Sequence, residues 1–424
     1  MKNTFFCNKS TCSIKFALMV SSILLLQSIG VFGQASGELI VEELAKIGYE
    51  NVRWTEDENE RIYTIENNLY KLQGLGIVRA INIIQQNGLP ENKRCKIIVT
   101  KLDVPEIAVT YETWENNSIQ GATTNKRGNW ITSYKLEDSW TKVKKEKKKN
   151  SSRFKADILI YPQLSFQNMD ITKIYQAMFL LNPALEISLW KGMKFTGQII
   201  LPIYVDTKGY SAYSPLYKKV RPGFITLSQR FRLPYNIRGK ATIGYFNNDQ
   251  YGIDAQLFYP FKDERFSLEG RIGYTGWGYW NGFNLKYNEK YQCTWSVGGS
   301  FYWPQYNTQF SLKAEQYLLG EKGIRFDMIR HFRYTSIGFY AMKGEHAKSN
   351  GGFRFQVALP PYKYKRHKYL PRVSTSANMG IVYNAGNEQR YYRQYRAESS
   401  DNIMEQNSLN PIYIKSELEN KLSN

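Results

Sequence analysis

The chain has 424 residues, 15% of them aromatic, and its 57 Lys and Arg against 37 Asp and Glu give a formal net charge of +20. This much aromatic and β-branched material excludes a disordered chain, and there is neither a glycine period for collagen nor a heptad for a coiled coil. A basic chain with 32 Tyr and 9 Trp leaves two classes in play: a nucleic-acid binder with stacking rings, and a membrane β-barrel with aromatic girdles.

The first 33 residues carry Lys2, Lys9 and Lys15, then an apolar stretch from Phe16 to Phe32, then Gly33 at a small-residue cleavage point. This is the pattern of a secretory signal peptide, and its apolar part is short and polar for a spanning anchor. Removing its three lysines takes the charge from +20 to +17. Cys7 and Cys12 leave with it; Cys95 and Cys293 stay, and read as two independent thiols. Export argues against a nucleic-acid partner. No later stretch has the roughly 18 apolar residues of a membrane helix, so entry into a membrane after export requires a barrel.

Residues 34–112 read as a small α/β domain, placed in the periplasm. Ile40, Leu44 and Ile47 have helical spacing and stop at Gly48. Val52–Trp54 and Arg61–Ile65 flank a polar tip, as in a hairpin. A second helix over 76–86 carries Ile77, Ala80, Ile81 and Ile84 on one face and stops at Asn87-Gly88. Cys95–Leu102 reads as a strand. Residues 113–152 are polar, with the basic run from Lys142 to Lys149. Such runs are usually solvated linkers, and contact with anionic headgroups or an acidic polymer is the sharper alternative.

From residue 153 to 362 the period becomes two. Phe266, Leu268, Gly270 and Ile272 alternate with Ser267, Glu269 and Arg271; Ile324, Phe326 and Met328 alternate with Arg325 and Asp327. The same holds in about 12 stretches, many of them longer than the roughly 5–6 residues of soluble strands and close to the roughly 9–11 that span a bilayer. Polar turns such as 247–250, 262–265 and 320–323 join neighbours, which should therefore be antiparallel. Rings gather near strand ends, at Tyr259/Phe261, Trp277/Tyr279/Trp280, Tyr302/Trp303/Tyr306 and Tyr362/Tyr364. The expected fold is mainly β: an antiparallel transmembrane barrel of about 12 strands after a small α/β domain. A secreted carbohydrate-binding β-sandwich would also alternate. Residues 363–424 are polar; Arg390–Arg396 alternates Arg and Tyr in a way that could stack on sugars, although a solvated tail is the plainer reading.

There is no HExxH, GxSxG, P-loop or dinucleotide fingerprint, so neither metal nor cofactor is expected. Asp254, Glu269, Glu315 and Asp327 share the polar phase of the strands with Lys194, Arg230, Arg232, Lys240, Arg271, Lys313, Arg325 and Arg354. Two such carboxylates could in principle hydrolyse a glycoside, which makes an outer-membrane or secreted glycan hydrolase an alternative. Interleaved opposite charges most simply pair with one another. A lumen that contacts a polymer is the other reading, with Arg325, Asp327, Arg330, Arg354, Arg271 and Glu269 as candidate polymer-facing residues.

The segment Tyr317–Pro361 is the most specific. It contains Tyr317-Leu318-Leu319-Gly320-Glu321-Lys322-Gly323-Ile324-Arg325-Phe326, Arg330-His331-Phe332, Ile337-Gly338-Phe339-Tyr340, Gly351-Gly352-Phe353-Arg354-Phe355 and Leu359-Pro360-Pro361. Together with Gly48–Val52, Ile65–Tyr70 and Gly74–Gly76, it resembles the YjbH-like family of outer-membrane proteins associated with exopolysaccharide and capsule biosynthesis. The resemblance covers most of the mature chain. It implies a non-enzymatic part in exopolysaccharide or capsule assembly or export at a Gram-negative outer membrane. The expected partners are outer-membrane lipid, an anionic polysaccharide and other export-machinery proteins, with no nucleic acid. It supplies no catalytic residue.

Overall fold

The computed structural model describes residues 37–114, 127–167, 176–207, 214–360, 362–367, 370–384, 391–399 and 408–422. The signal-peptide stretch lies outside the described residues.

The amino-terminal unit is a five-stranded sheet in the order β1-β2-β3-β4-β5, comprising Glu50–Glu56, Glu60–Glu66, Arg94–Lys101, Val104–Trp114 and Arg127–Ser133. β2 and β3 run parallel because helix α2 (Gln73–Gln86) crosses between them, as parallel neighbours require. Helix α1 (37–47) ends where Gly48 adopts a φ of +130°, a conformation that costs a residue with a Cβ. Ile40 and Leu44 from α1, Ile77, Ile81 and Ile84 from α2, and Ile97, Val99 and Val109 from the sheet make one dry core.

The polar region after β4 is built into this unit. β5 pairs with β4, and a short helix α3 (Ser139–Val143) buries Val143 against Ile62 and Ile98 on the opposite sheet face. The basic run is pinned there too, with Lys142 bonded to Asp57 and Glu60 at 2.8 Å each and Lys148 to Asp103 at 2.8 Å. Acidic partners from β1–β4 turn what the sequence suggests is a linker into a docked segment.

Twelve strands follow: β6 Ala156–Gln167, β7 Gln176–Ser188, β8 Met193–Val205, β9 Arg221–Arg232, β10 Arg238–Tyr245, β11 Gln250–Pro260, β12 Phe266–Asn281, β13 Asn284–Trp303, β14 Thr308–Gln316, β15 Lys322–His331, β16 Thr335–Gly344 and β17 Asn350–Ala358. Each pairs antiparallel with its sequence neighbours, so they form one continuous meander. β18 (Arg372–Thr375) then pairs with β6, and β19 (Asn378–Asn384) pairs with β17. Ser376 N–H donates to the Ile160 carbonyl and Leu359 N–H to the Ala377 carbonyl, so this one segment bonds to both edge strands of the meander.

Polarity across this sheet is inverted. In β16, Ile337, Phe339 and Ala341 are exposed while Ser336, Tyr340 and Met342 are buried. Ile272, Val297, Leu312 and Ile324 are all more than half exposed, whereas Asp254, Thr275, Glu315 and Asp327 are less than a tenth exposed. Strand geometry puts alternate residues on opposite faces, so one face is apolar and open and the other polar and covered.

The amino-terminal unit sits at one rim. Ser133 Oγ and the Tyr134 N–H donate to Glu264 in the β11–β12 turn, and Gly192 N–H in the β7–β8 turn donates to the Leu102 carbonyl. The carboxy-terminal segment covers the polar face. Tyr392, Tyr395 and Ala397 are buried against it, and helix α4 (Pro411–Leu422) buries Ile414 and Leu418 in the amino-terminal core. The solvated tail suggested by composition is therefore corrected: its aromatic and aliphatic residues find apolar partners that composition alone does not reveal. Among the described residues, no helix is long and apolar enough to cross a membrane.

Candidate functional site

The covered face holds a cavity of about 550 Å³. Among the described residues its wall carries ten cationic side chains against six carboxylates. The excess of cations favours an anionic occupant.

Register places the charges in partnerships. β11 and β12 align Gln256 with Arg271, and Arg271 Nε donates to Asp254 Oδ2 at 2.7 Å. Lys313 on β14 bonds Glu269 on β12 at 2.6 Å, reaching across β13, where Gly298 adds no side chain and Ser300 also donates to Glu269. Arg325 forks onto Asp327 with two bonds of 2.7 Å, both residues lying on the same face of β15. The guanidinium groups of Arg325 and Arg354 approach the Tyr340 ring from 4.5 and 5.5 Å. Five of the six sequence candidates, namely Arg325, Asp327, Arg354, Arg271 and Glu269, therefore line the cavity.

Arg330 does not. It is three positions from Asp327, so alternation turns it to the outer face, where it is exposed and lies over the rings of Tyr306 and Phe332. Its place is at a strand end beside exposed aromatics. Tyr302 is the converse case: a ring expected at the outer edge is buried inside, stacked on His331.

Sequence reasoning missed the tail's part in the site. The Tyr395 hydroxyl donates to Asp254 Oδ2 at 2.9 Å, its ring stacks on Phe246 at 5.3 Å, and Arg271 lies 4.5 Å over it. Gln394 bonds Glu315. Glu398 pairs with Lys240 at 2.7 Å and with Arg230 at 3.7 Å. The Arg-Tyr alternation at 390–396 was the available signal, but it names no partner.

The amino-terminal unit closes the near end. Glu106 on β4 pairs with Arg238 at 2.9 Å and Arg230 at 3.5 Å. Burial pushes the Glu106 carboxyl up, but Arg238 and Arg230 outweigh that and hold it below the usual range. A second cavity of about 240 Å³ lies between this unit and the strands, beside Lys71, Tyr161 and Tyr364. Burial lowers the Lys71 ammonium to about 8. Among the described residues no group of three or more His, Cys, Asp or Glu is placed to hold a metal ion. Cys95 and Cys293 are both free thiols.

Fold and site define a mainly β protein with a large antiparallel sheet, apolar on its open face and charged on its covered one. A family model described as "Exopolysaccharide biosynthesis protein YbjH" matches residues 27–354. The chain belongs to this YjbH family, which ties it to exopolysaccharide biosynthesis. No curated protein and no solved structure matches the chain.

Proposed function

We propose that the chain is an outer-membrane β-barrel that takes part, without catalysis, in the assembly or export of an exopolysaccharide or capsule. In this reading β6–β17 form the wall, the 372–384 segment joins its two edges, and the charged face lines a lumen. Closure would remove the exposed edges that otherwise invite aggregation.

The inverted polarity carries the reading. Soluble monomers seldom expose an apolar patch beyond roughly 300–600 Å². Here the open residues recur on β9 through β17, including Ile225, Ile243, Ile253, Leu268, Val297, Leu312, Ile324, Phe339 and Phe353. A β-sandwich would bury that face between two sheets. Exposed rings at both ends of the strands add to it: Trp303 and Tyr306 at one, Trp277 and Tyr291 at the other. The end that meets the amino-terminal unit has short turns, which suits the periplasmic side.

Participation without catalysis rests on the carboxylates. Asp254, Glu269 and Asp327 each have a cation within 2.7 Å, and Glu315 holds Gln394. A glycosidase needs one carboxyl protonated and another available to attack or to activate water. Charged walls bonded in this way suit passage or anchoring of a polymer. The partners proposed are outer-membrane lipid, an anionic polysaccharide and proteins of the export machinery.

Deletion of the gene, followed by a surface-polysaccharide assay, tests this. Loss of surface polymer restored by the wild-type chain is expected; unchanged polymer contradicts the proposal.

A further inference from the structure

The carboxy-terminal segment follows a path that a polymer would need. Tyr392 lies at the rim away from the amino-terminal unit: its hydroxyl accepts from Gly344 N–H at 2.9 Å and its ring meets Tyr317 edge-on at 5.3 Å. Leu318 N–H then donates to the Arg393 carbonyl at 3.0 Å. Tyr395 lies deeper, between Phe246, Asp254 and Arg271. Glu398 lies deeper again, on Lys240 and Arg230, and Ser399 donates to Glu186 at 3.1 Å. Helix α4 then docks on the amino-terminal unit.

Two of these positions have the chemistry of a bound acidic sugar. Tyr395 offers a flat face stacked on an aromatic ring at an interplanar angle of 7°, with its hydroxyl bonded to a carboxylate. A pyranose ring with its hydroxyls makes the same two contacts. Glu398 offers a carboxylate to a cationic pair, and Lys240 is only 9% exposed. Lys194 and Lys101 add further positive charge around it. If the segment withdrew alone, Lys240 would lose its anionic partner at 2.7 Å and Arg230 its partner at 3.7 Å, which is costly. Exchange for another carboxylate avoids that cost; exchange for a neutral sugar does not.

We propose that residues 391–399 are a built-in pseudo-ligand, with Glu398 filling a carboxylate subsite on Lys240 and Arg230, and Tyr395 filling the adjacent sugar subsite, of a path for a polysaccharide that carries carboxylate groups. The polymer displaces the segment. This inference rests on the reading of the covered face as the polymer's route.

The test is titration of the detergent-solubilised full chain with trigalacturonate, with maltotriose as the neutral control, folding of each variant being checked by heat-modifiable migration. An intramolecular carboxylate competes at high effective concentration, so Glu398→Gln should bind trigalacturonate about tenfold more tightly than wild type, with no gain for maltotriose. Adding Lys240→Gln should abolish the gain, and Lys240→Arg should keep it. Equal binding by wild type and Glu398→Gln, a gain that survives Lys240→Gln, or an equal gain for maltotriose overturns the inference. The surface-polymer assay on the deletion strain separates the two readings. Polymer loss on deletion without the trigalacturonate gain sinks this inference alone; unchanged polymer sinks the functional reading, whatever the titration shows.

Discussion

Tyr395 and Asp254 are 141 positions apart and share a hydrogen bond of 2.9 Å inside the sheet. The contact fastens the carboxy-terminal segment to the strand that also carries Leu257 and Ile253 on its open face. Gly273 on β12 makes room for it, because a Cβ there would collide with the Tyr395 hydroxyl. Removing that hydroxyl in Tyr395→Phe leaves Asp254 with Arg271 and Gln256 and should loosen the segment by roughly 1–2 kcal/mol. Limited proteolysis within 391–399 should accelerate several-fold, and Gly273→Val should do the same by clash. Unchanged cleavage in both variants would contradict the described packing.

Arg325→Gln strips Asp327 of its bidentate partner, and Arg354→Gln removes a second cation from the same wall. If this wall contacts the polymer, both variants should lower surface polymer while their outer-membrane level stays normal. Normal polymer from both variants would refute the contact role. Arg330→Gln, on the open face, should behave as wild type.

Glu106 links the amino-terminal unit to β9 and β10. Its carboxyl sits below its ordinary value of 4.5, because Arg238 and Arg230 outweigh burial. A depressed folded value means the contribution is complete above the unfolded value and is lost as pH falls through the folded one. Docking should therefore weaken below about pH 4.5 and hold at neutral pH. Glu106→Gln should weaken it at pH 7 by about 2–3 kcal/mol, by taking the anion from Arg238 and leaving Arg230 with Glu398 alone. Hydrogen exchange in β4 and the β9–β10 turn reads this directly; protection equal to wild type at pH 7 would rule the linkage out.

Cys95 is fully buried in β3, and burial pushes its thiol up to about 12, whereas Cys293 is exposed. In a chain lacking residues 1–33, and with them Cys7 and Cys12, maleimide at neutral pH should label one thiol per native chain and two after unfolding. Rapid native labelling of Cys95 would contradict the packed core.

Much of this fold was legible in the sequence because alternation has a physical cause. Each of the twelve alternating stretches is a strand, since a residue such as Phe326 between Arg325 and Asp327 can satisfy both only with its backbone extended. Helices α1 and α2 were equally plain, from isoleucine spacing and the stops at Gly48 and Gly88. β5 and α3 were not, because they are held by partners distant in sequence: β5 by its ladder with β4 and the Pro411 carbonyl that accepts from Thr132, α3 by Glu60 on Lys142. The tail failed for the same reason: nothing local in Tyr395 or Glu398 announces Phe246 or Lys240. Arg330 shows the limit of reading charge as direction, since parity along the strand decides the face.

The open face makes the central claim vulnerable to one substitution class. Ile272→Arg or Val297→Lys would place a charge among residues that a bilayer would cover, at a cost of about 2–4 kcal/mol near the midplane. Both variants should lose folded protein from the outer membrane; normal levels of both would count against lipid contact.

The most direct measurement is fractionation of cells making the wild-type chain, with carbonate extraction and gel migration before and after heating. A membrane barrel predicts outer-membrane material that resists carbonate and changes mobility on heating. Release into the soluble fraction, with no heat-dependent shift, would contradict the account.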